Sequence, residues 1–349
     1  MLGVGVIGLG VGAHHARAAL NHPGVGGVLL RDLDQDRANA LAAALKREFP
    51  GKEVAVAQTE AGLTDAPGIG AVCVASWDEA HFSQIMAALR AGKHVFAEKP
   101  LCQSPGQASA IREALFRGAA PSGGRLRLSA NMVLRTCPLF REIRQAWREG
   151  AFGPVSAVDA DYLWGRPGRL TRGWRGRMAD YSIVRGAAVH MIDLILWLAG
   201  ERPEEVFALG NNLATAGEGF PFADSCALSL RFPGGLFARV GAMGGCVVPH
   251  FHRLAVHGAR RGFAHELTGS VWIEKGDNGE AAVRPARGEY PARDKRPRVL
   301  AAFLDAVCGR EGASRCLVPE NDVFDVMAVC FAADESLRAG RPVRVEYPA

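Results

Sequence analysis

Three runs of this chain hold groups whose types and spacing could do chemistry. In "HVFAEKPLC", His94-Val95-Phe96-Ala97 reads as a buried strand. It breaks off into Glu98, Lys99 and Pro100: a carboxylate, an amine and a residue that cannot donate to a ladder. In "RGAAVHMIDLILWLAG", His190 and Asp193 stand i, i+3 on an otherwise apolar helix, so both side chains share a face. An imidazole titrates near neutrality, and one steered by a carboxylate is a natural base for the proton of a secondary alcohol. Taken alone, the pair also reads as a core histidine bonded to its neighbour, and Lys99 as a solvated loop amine.

The third run, "VIGLGVGAHH", follows an apolar strand and opens a helix. Gly8-Leu9-Gly10-Val11-Gly12-Ala13 matches G-x-G-x-x-(G/A), with Ala13 in third place. Gly8 permits the tight turn, Gly10 lets backbone approach a pyrophosphate, and a small third residue lets the helix pack on the strand. The helix N-terminus then offers donors and a positive dipole to the phosphates. Asp32 ends the second strand 22 residues beyond Gly10. An acid there accepts ribose hydroxyls and repels a 2′-phosphate, which favours NAD. Arg31 keeps NADP open, and a capping role stays open for Asp32, as for Asp34.

Ligands of an open parallel sheet lie beyond the carboxyl ends of its strands. Gly8–Ala13 leave the first strand and Lys99 the fifth, so both are expected at one crevice. Lys99, partly desolvated beside a cationic nicotinamide, should have a lowered pKa suited to proton transfer. Glu98 would orient it or contact the cofactor, and Pro100 would direct the loop.

Positioning these groups takes two domains, as 349 residues suggest. Strands are expected at Leu2–Ile7, Gly27–Arg31, Val54–Ala57, Ala71–Ala75, His94–Ala97 and Leu126–Ala130, alternating with helices such as Asp78–Ala91. That pattern predicts an α/β Rossmann domain over residues 1–130. After a proline-started helix at Pro138–Glu149, residues 131–349 are expected to form an α+β domain with a large, mainly antiparallel, open-faced sheet. "CALSLRF-PGG-LFARVGAM" reads as a hairpin with Cys226, Leu228, Leu230 and Phe232 on one face. Further strands are expected from Val155 and at Leu254–His257, Phe263–Leu267 and Val271–Glu274. Helices are expected at Ala187–Leu198, Val299–Cys308 and Asn321–Arg338, the last packing back on the first domain.

Over nearly the whole chain these runs resemble the glucose–fructose oxidoreductase / inositol dehydrogenase / rhizopine-catabolism oxidoreductases (Gfo/Idh/MocA). "AGKHVFAEKPL" is similar to that family's Glu-Lys-Pro segment, which implies that Lys99 assists catalysis and that Glu98-Lys99-Pro100 meets nicotinamide and substrate. "AVCVASWDEAH" is similar to its S/T-P-x-x-x-H segment, which implies cofactor contacts for Ser76 and His81; Trp77 stands where Pro is usual. The resemblance gives His190 the proton transfer and Asp193 substrate binding or the steering of His190. Gly186 stands where the family often has an Asp, so one substrate contact is missing or comes from elsewhere. Arg135, in "NMVLRTCP", falls where the family often places a substrate contact, and His14-His15 where a His often faces the nicotinamide pocket.

Two other readings share this fold. One is a dinucleotide-sensing regulator without catalysis, like the galactose-pathway repressor that resembles this family; retention of Lys99, His190 and Asp193 argues against it. The other is a biliverdin- or dihydrodiol-type reductase, which would favour NADPH and an apolar pocket. Asp32 and an arginine-rich loop lean away from that.

That loop, "RPGRLTRGWRGR", holds five arginines in twelve residues, Arg166 to Arg177. It reads either as a solvated or subunit-contact loop or as a lid. In the lid reading Arg166 and Trp174 face the substrate, and guanidiniums hold a carboxylate or phosphate through forked bonds. His250, His252, His257 and His265 have no nearby Cys or acidic cluster, so surface or interface positions are expected rather than a metal site.

Composition bounds the rest. A net charge of +5, without Lys/Arg runs interleaved with aromatics, favours anionic small molecules over nucleic acid. The eight cysteines are scattered and form no CxxC, as in reduced core thiols of a cytoplasmic protein. No apolar run is long enough for a membrane span, and no basic leader precedes the first strand. The expectation is a cytoplasmic NAD(P)-dependent oxidoreductase that needs no metal. It would act on a secondary hydroxyl or ketone of a sugar, polyol or sugar derivative, and pair into a homodimer or homotetramer through the open sheet face.

Overall fold

Short apolar runs alternating with helices become a parallel sheet because crossover helices cover both of its faces and let every strand be apolar throughout. The computed structural model describes residues 1–120, 123–276, 280–310 and 316–348. These form two units: Met1–Met132 with Asp294–Phe324, and Val133–Arg293 with Asp325 onward.

In the first unit the strands are β1 (Leu2–Ile7), β2 (Val25–Arg31), β3 (Glu53–Val56), β4 (Ile69–Val74), β5 (His94–Ala97) and β6 (Leu128–Ala130). Their order is β3-β2-β1-β4-β5-β6 and every pairing is parallel. Val4, Val6, Val72, Val95 and Phe96 are buried. Helices Gly12–Leu20, Gln35–Glu48 and Asp78–Arg90 fall in the crossovers. Asp34, not Asp32, caps Gln35–Glu48, accepting the Arg37 N–H at 3.0 Å. Trp77 takes φ −77°, close to proline's own value, so Asp78–Arg90 starts as a proline would start it.

The segment Asp294–Phe324, which the sequence division puts in the second domain, groups with the first. Its helix Arg298–Val307 buries Val299, Leu300, Phe303 and Leu304, with Phe303 5.7 Å from Phe96 of β5. The last helix, Glu320–Ala339, belongs to the first unit only through Phe324. Beyond that it joins the second, where Ser336 Oγ accepts the Ala208 N–H at 2.9 Å.

The second unit contains β7 (Val155–Leu163), β8 (Glu205–Asn211), β9 (Ser225–Arg231), β10 (Phe237–Met243), β11 (Phe251–Gly258), β12 (Arg261–Glu266), β13 (Gly269–Lys275), β14 (Ala281–Pro285) and β15 (Val343–Arg344). The sheet runs β14-β13-β12-β11-β7-β10-β9-β8-β15, antiparallel except where β7 meets β10. The hairpin β9–β10 pairs Arg231 with Phe237, and Cys226, Leu228 and Leu230 are buried. Helix Val189–Ala199 packs on β7 and β10. The helix expected from Ala187 starts instead as one π turn, Val184–Ala188, and becomes α-helical at Val189. Among the described residues no helix is long and apolar enough to cross a membrane.

Candidate active site

The glycine turn behaves as the steric argument requires, with one exchange of roles. Gly8 has φ +83°, and a Cβ there would lie 2.6 Å from backbone atoms of Ala75 and Ser76. A Cβ on Gly10 would meet nothing within 4 Å, so its backbone borders open space where a phosphate could approach. Close helix–strand packing is the work of Gly12, whose Cβ would come within 3.0 Å of Val6 Cγ1; Ala13, expected in that role, is only half-buried. Val11 leaves the turn 50% exposed, an apolar side chain at the helix N-terminus. Asp32 is 8% exposed. Its Oδ2 accepts the Leu9 N–H at 2.6 Å and its Oδ1 the Asp34 N–H at 2.9 Å, so it ties the glycine turn to the exit of β2. Arg37 Nη1 lies 3.6 Å from Oδ1, and the Arg31 guanidinium donates to the Asp32 carbonyl.

At the exit of β5, Glu98 Oε1 receives His15 Nε2 at 2.8 Å and Asn131 Nδ2 at 2.6 Å. Burial alone pushes the Glu98 carboxyl up. The His15 bond and charge, the Lys99 ammonium and the Asn131 amide together outweigh it and hold the carboxyl below its usual range. Lys99, the next residue, is half-buried. His81, expected to touch cofactor, is fully buried instead. Its Nδ1 lies 2.7 Å from the Pro100 carbonyl and its Nε2 3.2 Å from that of Ser76, so it ties the two loops together. Ser76 Oγ donates to Gln84 Oε1 at 2.6 Å. Of His14-His15, the buried His15 anchors Glu98 while His14 is exposed.

In the second unit His190, 8% exposed, lies in the first turn of helix Val189–Ala199. Its imidazole stacks on Tyr162 of β7, centroids 5.5 Å apart and planes 13° from parallel. Asp193 is held by a buried guanidinium. Arg135 Nε donates to both its oxygens at 3.1 Å and Nη2 to Oδ1 at 2.6 Å. Both residues are 1% exposed, so Arg135, expected at the substrate, is the buried counter-ion of Asp193, which stands one helical turn from His190. Gly186 is glycine because a Cβ would lie 2.7 Å from Tyr181 Oη, and Tyr181 occupies the space an acid would need.

His252 and His265, expected at the surface or an interface, are 4% and 3% exposed, whereas His257 is exposed and meets Asp159 at 3.1 Å. Tyr290 Oη accepts the His252 backbone N–H at 2.9 Å and lies 2.7 Å from its Nδ1. His252 in turn sits edge-on to Tyr162, 5.1 Å away, and His250 lies 5.2 Å from the same ring. Burial drops His265 to about 4. Arg166 is exposed and Trp174 half-buried. Among the described residues no three His, Cys, Asp or Glu side chains converge as a metal site would need.

Residues 2–117 match the family described as "Oxidoreductase family, NAD-binding Rossmann fold", and residues 140–264 match the "GFO/IDH/MocA C-terminal domain". The chain belongs to the Gfo/Idh/MocA oxidoreductases. It is 27% identical over 315 residues to inositol 2-dehydrogenase 2 of Saccharopolyspora erythraea, spanning 86% of this chain and 82% of the relative. Identity to myo-inositol 2-dehydrogenase of Thermotoga maritima is 26% over 360 residues, 98% of each chain. The solved levoglucosan dehydrogenase, in complex with NADH and L-sorbose, shares the fold at a TM-score of 0.80 and 20% identity over 99% of both chains.

The turn of this Gfo/Idh/MocA member fits a dinucleotide. Open space borders Gly10, where a Cβ would meet nothing within 4 Å, and a nine-residue helix starts beside it. Sequence reasoning on this oxidoreductase missed Asn131, Tyr162, Tyr290 and the buried state of His252. The one available signal was alternation along β7, which puts Tyr162 on the face of the buried Val158 and Ala160.

Proposed function

We propose that this oxidoreductase moves hydride between NAD and a secondary hydroxyl, or the matching ketone, of a sugar, polyol or sugar derivative. The observation that carries this is Glu98 anchored by His15 and Asn131 beside Lys99, on the loop leaving β5, with the glycine turn leaving β1 of the same sheet. Relatives named as inositol 2-dehydrogenases support the substrate class. When bound, the nicotinamide supplies the hydride acceptor or donor. Gly8, Gly10, Val11, Gly12 and Ala13 hold the pyrophosphate. Asp32 receives the ribose, and Arg31 and Arg37 beside it leave NADP usable.

Lys99 binds the alcohol oxygen and shares its proton, while Glu98 keeps a negative charge beside the amine. His190 removes the hydroxyl proton as a neutral imidazole. The Tyr162 ring face steadies the cation that results. Asp193, held by Arg135, is a positioning residue for the helix that carries His190. We place the protein in the cytoplasm as a homodimer or homotetramer, in keeping with eight free cysteines.

Near-ultraviolet absorbance of the reduced cofactor, followed with NAD or NADP and a panel of inositols, hexoses and sugar acids, tests the reading. At least one compound should be turned over by the wild type and none by Lys99→Ala, which should still be stabilised thermally by NAD. Full activity in Lys99→Ala would remove that amine from the reaction. A wild type inert with every compound would sink the dehydrogenase itself.

A further inference from the structure

The twelve residues from Arg166 to Arg177 carry five positive charges and no carboxylate. Arg166, Arg169, Arg172 and Arg175 pair with no acidic side chain among the described residues. Arg175 stands apart from the other three, which are exposed, in being half-buried. Its Cζ lies 5.2 Å from the ring centroid of Trp164 and 4.2 Å from that of Trp174. A ring face attracts the guanidinium's charge but is no substitute for the oxygen acceptors that its N–H fork matches. None of the described residues supplies such an acceptor.

The geometry connects this fork to His190. Trp164 is 8% exposed and follows Tyr162 by two residues. Its N–H donates to the Met243 carbonyl at 2.9 Å, so the pairing of β7 with β10 continues past Leu163. Trp164 therefore returns to the face on which Tyr162 stacks against His190. The step along the strand from Tyr162 to Trp164 is about 7 Å, comparable to the reach from one end of a six-carbon sugar to the other.

We propose that the substrate carries an anionic group, a carboxylate or a phosphate monoester, at the end remote from the reacting hydroxyl, and that Arg175 receives it through forked hydrogen bonds. This rests on His190 being the base of the reaction proposed above. A neutral polyol would leave the fork without a partner, whereas an anion gains two charge-assisted bonds there. The chain's net charge of +5 adds a long-range attraction of the same sign.

Calorimetric titration of D-glucuronate, glucose 6-phosphate and glucose into the NADH-loaded wild type and Arg175→Gln tests this, with cofactor reduction measured in parallel. At least one anion should bind on the order of tenfold more tightly than glucose, as expected when a charged fork goes unpaired. Arg175→Gln should erase that advantage, and Arg175→Lys, which keeps the charge but not the fork, should restore only part of it. Preference for glucuronate or for the phosphate identifies the anion. Equal binding of all three sugars, no binding of either anion, or a preference that survives in Arg175→Gln overturns the proposal. Arg175-dependent anion binding with no turnover of any compound would keep the anion site and discard the dehydrogenase reading.

Discussion

Glu98 shows how one side chain sets the charge around another. Its carboxyl is depressed in the folded chain by His15, Lys99 and Asn131 against the opposing pull of burial. A carboxyl depressed on folding adds stability that is full above its unfolded pKa of about 4.3 and fades as pH falls through the folded value. Glu98→Gln keeps the shape but loses the charge, so near neutrality it should be less stable by about 2 kcal/mol. The gap should close as melts are repeated at pH values falling below about 4. A deficit of constant size across that range would show that shape, not charge, holds the loop. Lys99 and His190 stood out as candidates in the sequence because each is an ionisable group set against an apolar run. The guanidinium on Asp193 was not legible, because Arg135 lies 58 residues away. His252 was misread for the same reason, its hydroxyl partner Tyr290 being 38 residues off.

At the scale of elements, the glycine turn separates folding from binding within three residues. Gly8→Ala must place a side chain at φ +83° against the backbone of Ala75 and Ser76. It should cost about 1–3 kcal/mol from the backbone conformation alone, and the NAD-induced thermal shift should vanish with it. Gly10→Ala enters open space, so its melting should stay within about 1 kcal/mol of wild type while NAD affinity collapses. Calorimetric titration that returned wild-type affinity for Gly10→Ala would mean that no phosphate lies against that backbone. Strands with continuous or alternating apolar runs were legible almost to the residue, as in β1 and β5. Others lacked the signal: β14 is nearly all exposed and β15 has two residues, so neither carries a period. The π turn before His190 is a change of hydrogen-bond register, which apolar spacing does not record.

For the molecule as a whole, the amphipathic helix Arg298–Val307 announced a face to bury but not which core would receive it, so its return to the first unit was hidden in the sequence. The open sheet face was legible, and it bears on assembly. Register places Leu209, Phe237, Ile273 and Val283 on the face opposite the buried Leu228, Val240 and Trp272. Their exposures are 60, 50, 36 and 60%. Between them runs a lattice of both signs, Asp159 with Arg239 and Asp161 with Arg253 and Glu266. A face that exposes apolar side chains among charges of both signs can meet a copy of itself about a two-fold axis. Light scattering should therefore give at least twice the 37.1 kDa of one chain. Phe237→Asp replaces one of these apolar side chains with a charge and should shift the mass toward a single chain. It should leave the NAD-induced thermal shift intact, since the glycine turn belongs to the other unit. A wild type that scatters as one chain at micromolar concentration would mean that this sheet tolerates solvent on its bare side.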